Sequence, residues 1–256
     1  MSAPIERTDV DTTAVLTINQ PHKRNALSMT EVESLTEMLD EAGRDPQVRG
    51  VVLTGRGAFC AGADLKSVVR GVARALEELH DEIEAVPQGL IRTLLNLPVP
   101  TVAAIDGAAI GMGMDIALAC DSRLISETGW LLQGWGRVGL IPGTGGLRLL
   151  QRLNSSALWS MLEHQQPIGA EEADRLGIAE SVTGPAIDAA IARAAALAAL
   201  PKPALDAYVS MQRQPVLHDL EDHMVDVSRV QAGLLASDRF ASTAGHVVSG
   251  TQPDPA

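Results

Sequence analysis

Aromatic side chains are scarce in this chain: Trp130, Trp135, Trp159, Tyr208, Phe59 and Phe240 are the whole set among 256 residues. Apolar residues nevertheless make up 46% of the sequence. The interior must therefore be packed with Ala, Leu, Val and Ile, which favours helices laid against small-residue sheets. Basic charge is also short, with 20 Lys and Arg against 32 Asp and Glu and a net charge of −12. Phosphate backbones need a basic face, and single strands usually need stacking aromatics as well, so DNA and RNA are excluded as expected partners. The same acidity repels any polyphosphate ligand at long range, so such a ligand has to rely on local cations and helix N-termini. Two cysteines, Cys60 and Cys120, make no disulfide framework. The opening Met1-Ser2-Ala3-Pro4-Ile5-Glu6 lacks the basic and apolar regions of a signal peptide, and cytoplasm is the expected location. The longest apolar runs, 101–110 and 186–200, are interrupted by Asp106, or by Asp188 and Arg193, so no membrane span is expected.

What is present alternates. Strand-like β-branched runs occur at Thr13–Ile18, Gly50–Thr54, Thr101–Ile105 and Arg123–Ser126, separated by helix-like stretches. One helix is well marked: Val32, Leu35, Leu39 and Ala42 share a face after a Ser28/Thr30 start and before Gly43. From about 143 the strand signal nearly vanishes, and helices are expected at 144–153, 155–164, 170–176, 185–199, 203–213 and 218–236. Pro201 and Pro203 break the Ala-rich helix from the next, and the tail after 241 reads as frayed. No linker rich in Pro, Gly or Ser divides the chain.

Two glycine-rich stretches each leave a strand and enter a helix. The first is Gly55-Arg56-Gly57-Ala58-Phe59-Cys60-Ala61-Gly62-Ala63-Asp64-Leu65. If Asp64 lies in the first helical turn, Gly62 and Ala63 offer free N–H groups there. The second is Asp106-Gly107-Ala108-Ala109-Ile110-Gly111-Met112-Gly113-Met114-Asp115, leading into a helix expected over 116–120. Two such amides aimed at one oxygen would make an oxyanion hole. On glycine spacing alone, close helix packing explains both stretches equally well.

The context narrows the choice. Arg24-Asn25-Ala26-Leu27 lies upstream, Pro98-Val99-Pro100-Thr101-Val102-Ala103-Ala104-Ile105-Asp106-Gly107 precedes the second stretch, and Gly139-Leu140-Ile141-Pro142-Gly143-Thr144-Gly145-Gly146 follows it. Gly169-Ala170-Glu171-Glu172-Ala173-Asp174-Arg175-Leu176-Gly177 comes later. With these segments in order, the chain resembles the crotonase (enoyl-CoA hydratase/isomerase) family from about residue 5 to about residue 240. The resemblance implies an α/β fold, a spiral of ββα units over 1–195 with an acyl-CoA site. A helical region over 196–256 in the same domain would build trimers or hexamers. It also implies acyl-CoA substrates, with CoA as part of the substrate and no separate cofactor. By position, the amides of Ala63 and Met112 resemble the two oxyanion donors. Ala61, Gly62, Asp64, Leu65 and Gly111 resemble the wall beside CoA, and Arg24 and Ala26 its adenine and phosphate side.

One departure stands out. Family hydratases use two glutamates, one three residues after the second amide and another twenty further on; here those positions are Asp115 and Trp135. Aspartate can still move a proton, whereas an indole only donates a hydrogen bond or packs. Asp115 is therefore the candidate acid/base, although an acid in a helix's first turn is also favoured by the macrodipole alone. Trp135 reads equally well as core. A single carboxylate suits double-bond isomerisation better than hydration. A silent acyl-CoA binder, or a thioester hydrolase or decarboxylase on the same scaffold, stays open.

Other chemistries find little support. His218 and His223 are five residues apart and do not share a helix face, so no metal is expected. Cys60 reads as small apolar filler, and there is no G-x-S-x-G elbow or P-loop.

Overall fold

The four β-branched runs are strands, and the structure, a computed structural model describing residues 3–71 and 74–249, adds five more. Ile5–Val10 (β1) and Thr13–Ile18 (β2) form an antiparallel hairpin with Asp11 at φ 51° in its turn. The helix Met29–Arg44 (α1) follows, its N-terminus closed by Glu31 Oε2 accepting from the Ser28 amide at 2.7 Å. It buries Val32, Leu35, Leu39 and Ala42, the face read from the sequence.

Next come Gly50–Gly55 (β3), then Leu65–Gly71 (α2), Leu76–Ala85 (α3) and Pro87–Asn96 (α4). Two compact repeats succeed them. Thr101–Ile105 (β4), Ala108–Ile110 (β5) and Met112–Ala119 (α5) form one; Ser122–Ser126 (β6), Trp130–Leu132 (β7), a 3₁₀ turn at Trp135–Val138 and Gly146–His164 (α6) form the other. An isolated parallel bridge between Cys60 and Ala109 gives the segment after β3 the same second rung. The expected spiral of ββα units is thus present. The chain finishes with Ile168–Gly169 (β8), Ala170–Arg175 (α7), Glu180–Val182 (β9), Ala186–Ala198 (α8), Lys202–Leu235 (α9) and Asp238–Ser249 (α10).

The larger sheet has six strands in the order β1-β2-β3-β4-β6-β9, parallel except for the β1/β2 hairpin; the smaller is β5-β7-β8. Alternation along the strands separates two cores. Leu16, Leu53, Ala103 and Ile125 face α1, α4 and α5, while Val15, Val52, Val102, Ala104 and Leu124 face Ala186, Ala190 and Ala194 of α8. That alanine stripe lets α8 lie close on the sheet, with Ala194 Cβ 3.4 Å from where a Cβ on Gly50 would stand. A core of small side chains packs this way without aromatics.

The C-terminal helices differ from expectation in two places. The two helices read at 203–213 and 218–236 are one, running through Pro215. Pro215 and Met211 both lie on the exposed face, so the carbonyl that proline leaves without a partner is turned to solvent. Just before it, the buried Arg213 guanidinium donates to Val99 O at 3.0 Å, to Leu97 O and to the Asp121 carboxylate, clamping the turn. The tail is not frayed from 241: α10 continues to Ser249, with Phe240 and Ala244 buried and the helix packed against α2, α9 and the Trp135–Val138 turn, and 250–256 lie outside the described residues. In α6, Asn154 does interrupt the helix at φ −158°, ψ 100°, and its Oδ1 caps the second half by accepting from Ser156 N and Ala157 N, both at 3.1 Å.

Candidate functional site

The first glycine stretch is fixed from beneath by Asn25. This residue is fully buried with φ 59°; its Oδ1 accepts from Gln20 N at 2.7 Å and its Nδ2 donates to Ala58 O at 2.5 Å. Beyond the turn, Ala61 N donates to Arg24 O, Leu27 N donates to Gly62 O at 2.8 Å, and Asp64 N donates to Leu27 O at 2.8 Å. This parallel bridge between Leu27 and Ala63 uses the groups flanking Ala63 and turns Ala63's own N–H to the opposite side. Asp64 is a cap and not a first-turn residue: α2 starts at Leu65, and Asp64 Oδ1 accepts from Lys66 N at 3.0 Å. The Ala63 amide is therefore freed by strand-like pairing, not by a helix start.

The second stretch reaches its helix four residues earlier than read, because Gly111, at φ 52° and ψ −118°, caps α5 and leaves Met112 as its first residue. Neither the Ala63 nor the Met112 amide donates to a protein acceptor among the described residues. The two segments lie against each other at Gly62, whose φ is +91°. A Cβ there would stand 2.7 Å from Ile110 O and 3.4 Å from Met112 N.

Ala63 and Met112 both line a cavity of about 510 Å³. Its apolar lining includes Leu27, Val32, Val68, Leu79, Ile83, Leu140 and Leu235; Asp64, Leu65, Trp135, Gly143 and Thr144 also face it, as do Arg74 and Glu82, which form an ion pair at 2.5 Å. Arg24 is exposed beside Ala61 and Ala26, both half-buried, at one end of the same bridge.

Asp115 stands behind this wall. It is 2% exposed and does not line the cavity. Its Oδ2 accepts from Trp135 Nε1 at 3.0 Å and from Thr144 Oγ1 at 2.5 Å. Its Oδ1 lies over the start of α6, where a Cβ on Gly146 would come within 1.8 Å. Burial pushes the carboxyl up to about 7, against the opposing pull of the Thr144 and Trp135 donors. Trp135, which read equally well as filler, is thus a hydrogen-bond partner of the candidate acid as well as a cavity wall.

The sequence reading missed Thr144, Gly146, Gln88 and Gln231. Gln88 is fully buried and donates from Nε2 to Gly143 O and Met224 O, both at 2.9 Å. Gln231 Oε1 accepts from Ile141 N at 3.2 Å. Together they hang the 139–146 loop from α4 and α9. Cys60 is buried, and desolvation raises its thiol to about 12, which suits filler and not a nucleophile. Among the described residues no group of three or more His, Cys, Asp or Glu could hold a metal, and no helix is long and apolar enough to cross a membrane.

Comparison with known proteins agrees with this architecture. A probable enoyl-CoA hydratase of Mycobacterium tuberculosis is 35% identical over 219 residues, which is 82% of either chain. A crystal structure of an enoyl-CoA hydratase/isomerase from Mycobacterium paratuberculosis shares the fold with a TM-score of 0.88 at 22% identity, over 96% of this chain and 98% of that one. An enoyl-CoA hydratase from Mycobacterium avium gives a TM-score of 0.84 at 28% identity, over 99% of each. The sequence pattern of the enoyl-CoA hydratase/isomerase family matches residues 9–239, and the chain belongs to that family.

Proposed function

We infer that this family member takes an acyl-CoA thioester, holds its carbonyl oxygen between the Ala63 and Met112 amides, and moves a proton with Asp115. The observation that carries the reading is the conjunction of two cavity-lining residues, Ala63 and Met112, whose amides have no protein acceptor among the described residues and, directly behind that wall, a carboxyl pushed up to about 7 by burial. Amides aimed at a developing oxyanion lower the cost of the thioester enolate and acidify the α-carbon. A base whose pKa lies near the working pH is then well matched to exchange that proton.

One carboxylate suffices to carry a proton from the α- to the γ-carbon. Hydration in the family pattern uses two, and here the second position holds Trp135, which donates to Asp115 and has no lone pair to offer. Double-bond isomerisation is therefore favoured over hydration of a simple 2-enoyl-CoA. The apolar lining suits a partly apolar acyl group, and Arg24 supplies the local cation that an acidic protein needs beside CoA phosphates. In this reading Ala26, Ala61, Gly62, Asp64, Leu65 and Gly111 form the CoA side, 1–195 the acyl-CoA core, and 196–256 the surface for a trimer or a hexamer.

A second reading is supported by the concealment of Asp115: with Trp135 in the wall, the protein would bind acyl-CoA without turning it over. Incubation with a panel of 2-enoyl- and 3-enoyl-CoA thioesters, followed by conjugated-thioester absorbance and product mass, separates the two. Isomerised product that disappears in Asp115→Asn establishes the catalyst. Saturable binding with every substrate recovered unchanged establishes the binder.

A further inference from the structure

Asp115 needs a route to the reacting atoms, because its two oxygens are walled off differently. Oδ1 faces Gly146, which does not line the cavity; Oδ2 faces Trp135 and Thr144, which do. A proton passing between Oδ2 and the cavity must cross one of these side chains. The indole N–H carries a proton but no lone pair, so it cannot receive a second as it gives up the first. A hydroxyl has one proton and two lone pairs, and Thr144 Oγ1 already donates to Oδ2 at 2.5 Å. Thr144 is 1% exposed, so bulk water has little independent access to the pair.

We propose that Thr144 is a catalytic residue, the relay that passes protons between substrate carbon and Asp115; the assignment rests on the acyl-CoA reading above. The α-C–H bond breaks and its electron pair stays with the thioester as the enolate. The released proton binds Thr144 Oγ1 while the original hydroxyl proton moves to Asp115 Oδ2. Thr144 is neutral before and after, and Asp115 ends protonated. Reprotonation at the γ-carbon runs the same transfers backwards, so isomerisation needs no other reactant.

The test compares wild type, Thr144→Val and Thr144→Ser in deuterated and ordinary water, reading kcat, KM and deuterium uptake at the α-carbon. Each enzyme is assayed on its own alkaline plateau, where Asp115 is ionised. Thr144→Val keeps the shape and removes the hydroxyl; kcat and α-exchange are expected to fall about 10²- to 10⁴-fold with little change in KM. Thr144→Ser restores a hydroxyl and should stay within about tenfold of wild type, and Thr144→Val should add little to Asp115→Asn, as expected for groups acting as one unit. Thr144→Val turning over near the wild-type rate, or Thr144→Ser as impaired as Thr144→Val, overturns the relay while leaving the acyl-CoA function standing. A wild type that turns over no thioester in the panel overturns that function, and the relay with it, before any variant is compared.

Discussion

Trp135 donates its indole N–H to Asp115 Oδ2 at 3.0 Å across twenty residues of sequence. In the proposed reading this spacing is that of the two hydratase glutamates implied by the family resemblance, and a neutral donor then stands where a second negative charge would. Two carboxylates this close would push one another's pKa apart, whereas an indole leaves a single acid whose ionisation is set by burial and two donors. In the proposed reading Trp135 thus gives a one-acid arrangement where the family pattern would use two, without emptying the site.

Asp115→Asn is expected to stabilise the protein above neutral pH while abolishing turnover. The carboxyl is raised from 3.8 to about 7 on folding. The folded state therefore holds the proton more tightly than the unfolded state, which costs nothing below about pH 4. The cost grows as pH rises through that window and is complete above about 7, accumulating on the order of 1.4 kcal/mol per pH unit. Asparagine carries no such charge. Urea denaturation should show the variant more stable than wild type by a few kcal/mol at pH 8 and similar to it at pH 4; coincident curves at both pH values would mean that Asp115 ionises normally in the fold.

Trp135→Phe keeps the ring and removes the N–H. A base must be ionised to act, so kcat/KM should rise with pH through the Asp115 pKa near 7 in the wild type. Losing a donor to the charged form disfavours ionisation, and the midpoint should move to higher pH in the variant, with part of the activity recovered on the alkaline side. A pH profile with an unmoved midpoint would show that the indole N–H plays no part in setting the acid.

Which parts of this site were legible follows from how local their signals are. The two glycine turns and Asp115 could be read because each strand-to-helix transition is written in about ten adjacent residues. The partners of Asp115 could not, since Thr144 and Gly146 meet it only after β6, β7 and the 139–146 loop have closed over α5. The same holds for the small strands: β5 and β7 are three residues long and β8 two, and their pairing comes from distant neighbours rather than from alternation. β1 escaped because its outer face is polar, as an edge strand's often is. The gap expected between 213 and 218 is helical because Pro215 lies on the exposed face of α9, and sequence shows a proline's missing N–H but not which face it is on.

Gly62→Ala tests the approach of the two amide segments. At φ +91° an L-residue is strained, and its methyl would stand 2.7 Å from Ile110 O, a backbone atom with little room to yield. The Ala63 and Met112 segments must then separate. Loss of one well-placed oxyanion donor lowers kcat about 10²- to 10³-fold, and a fall of that size is expected together with a lower melting temperature. A variant with wild-type kcat would show that these amides do not act on the thioester carbonyl.

Gly146→Ala should reproduce the loss of Asp115 function by steric means. The added methyl would lie 1.8 Å from Oδ1 and 2.2 Å from Cγ, so the carboxylate has to leave Trp135 and Thr144 or α6 has to shift. Overpacking of this kind costs about 1–3 kcal/mol, and turnover should fall with it. Asp115→Ala vacates the space that this added methyl needs. The double variant is therefore expected to be more stable than the sum of the two single changes allows, while remaining inactive. Melting curves across this four-member cycle measure the coupling; strict additivity would mean that Asp115 and Gly146 are not in contact and that the carboxylate is held somewhere other than against the start of α6.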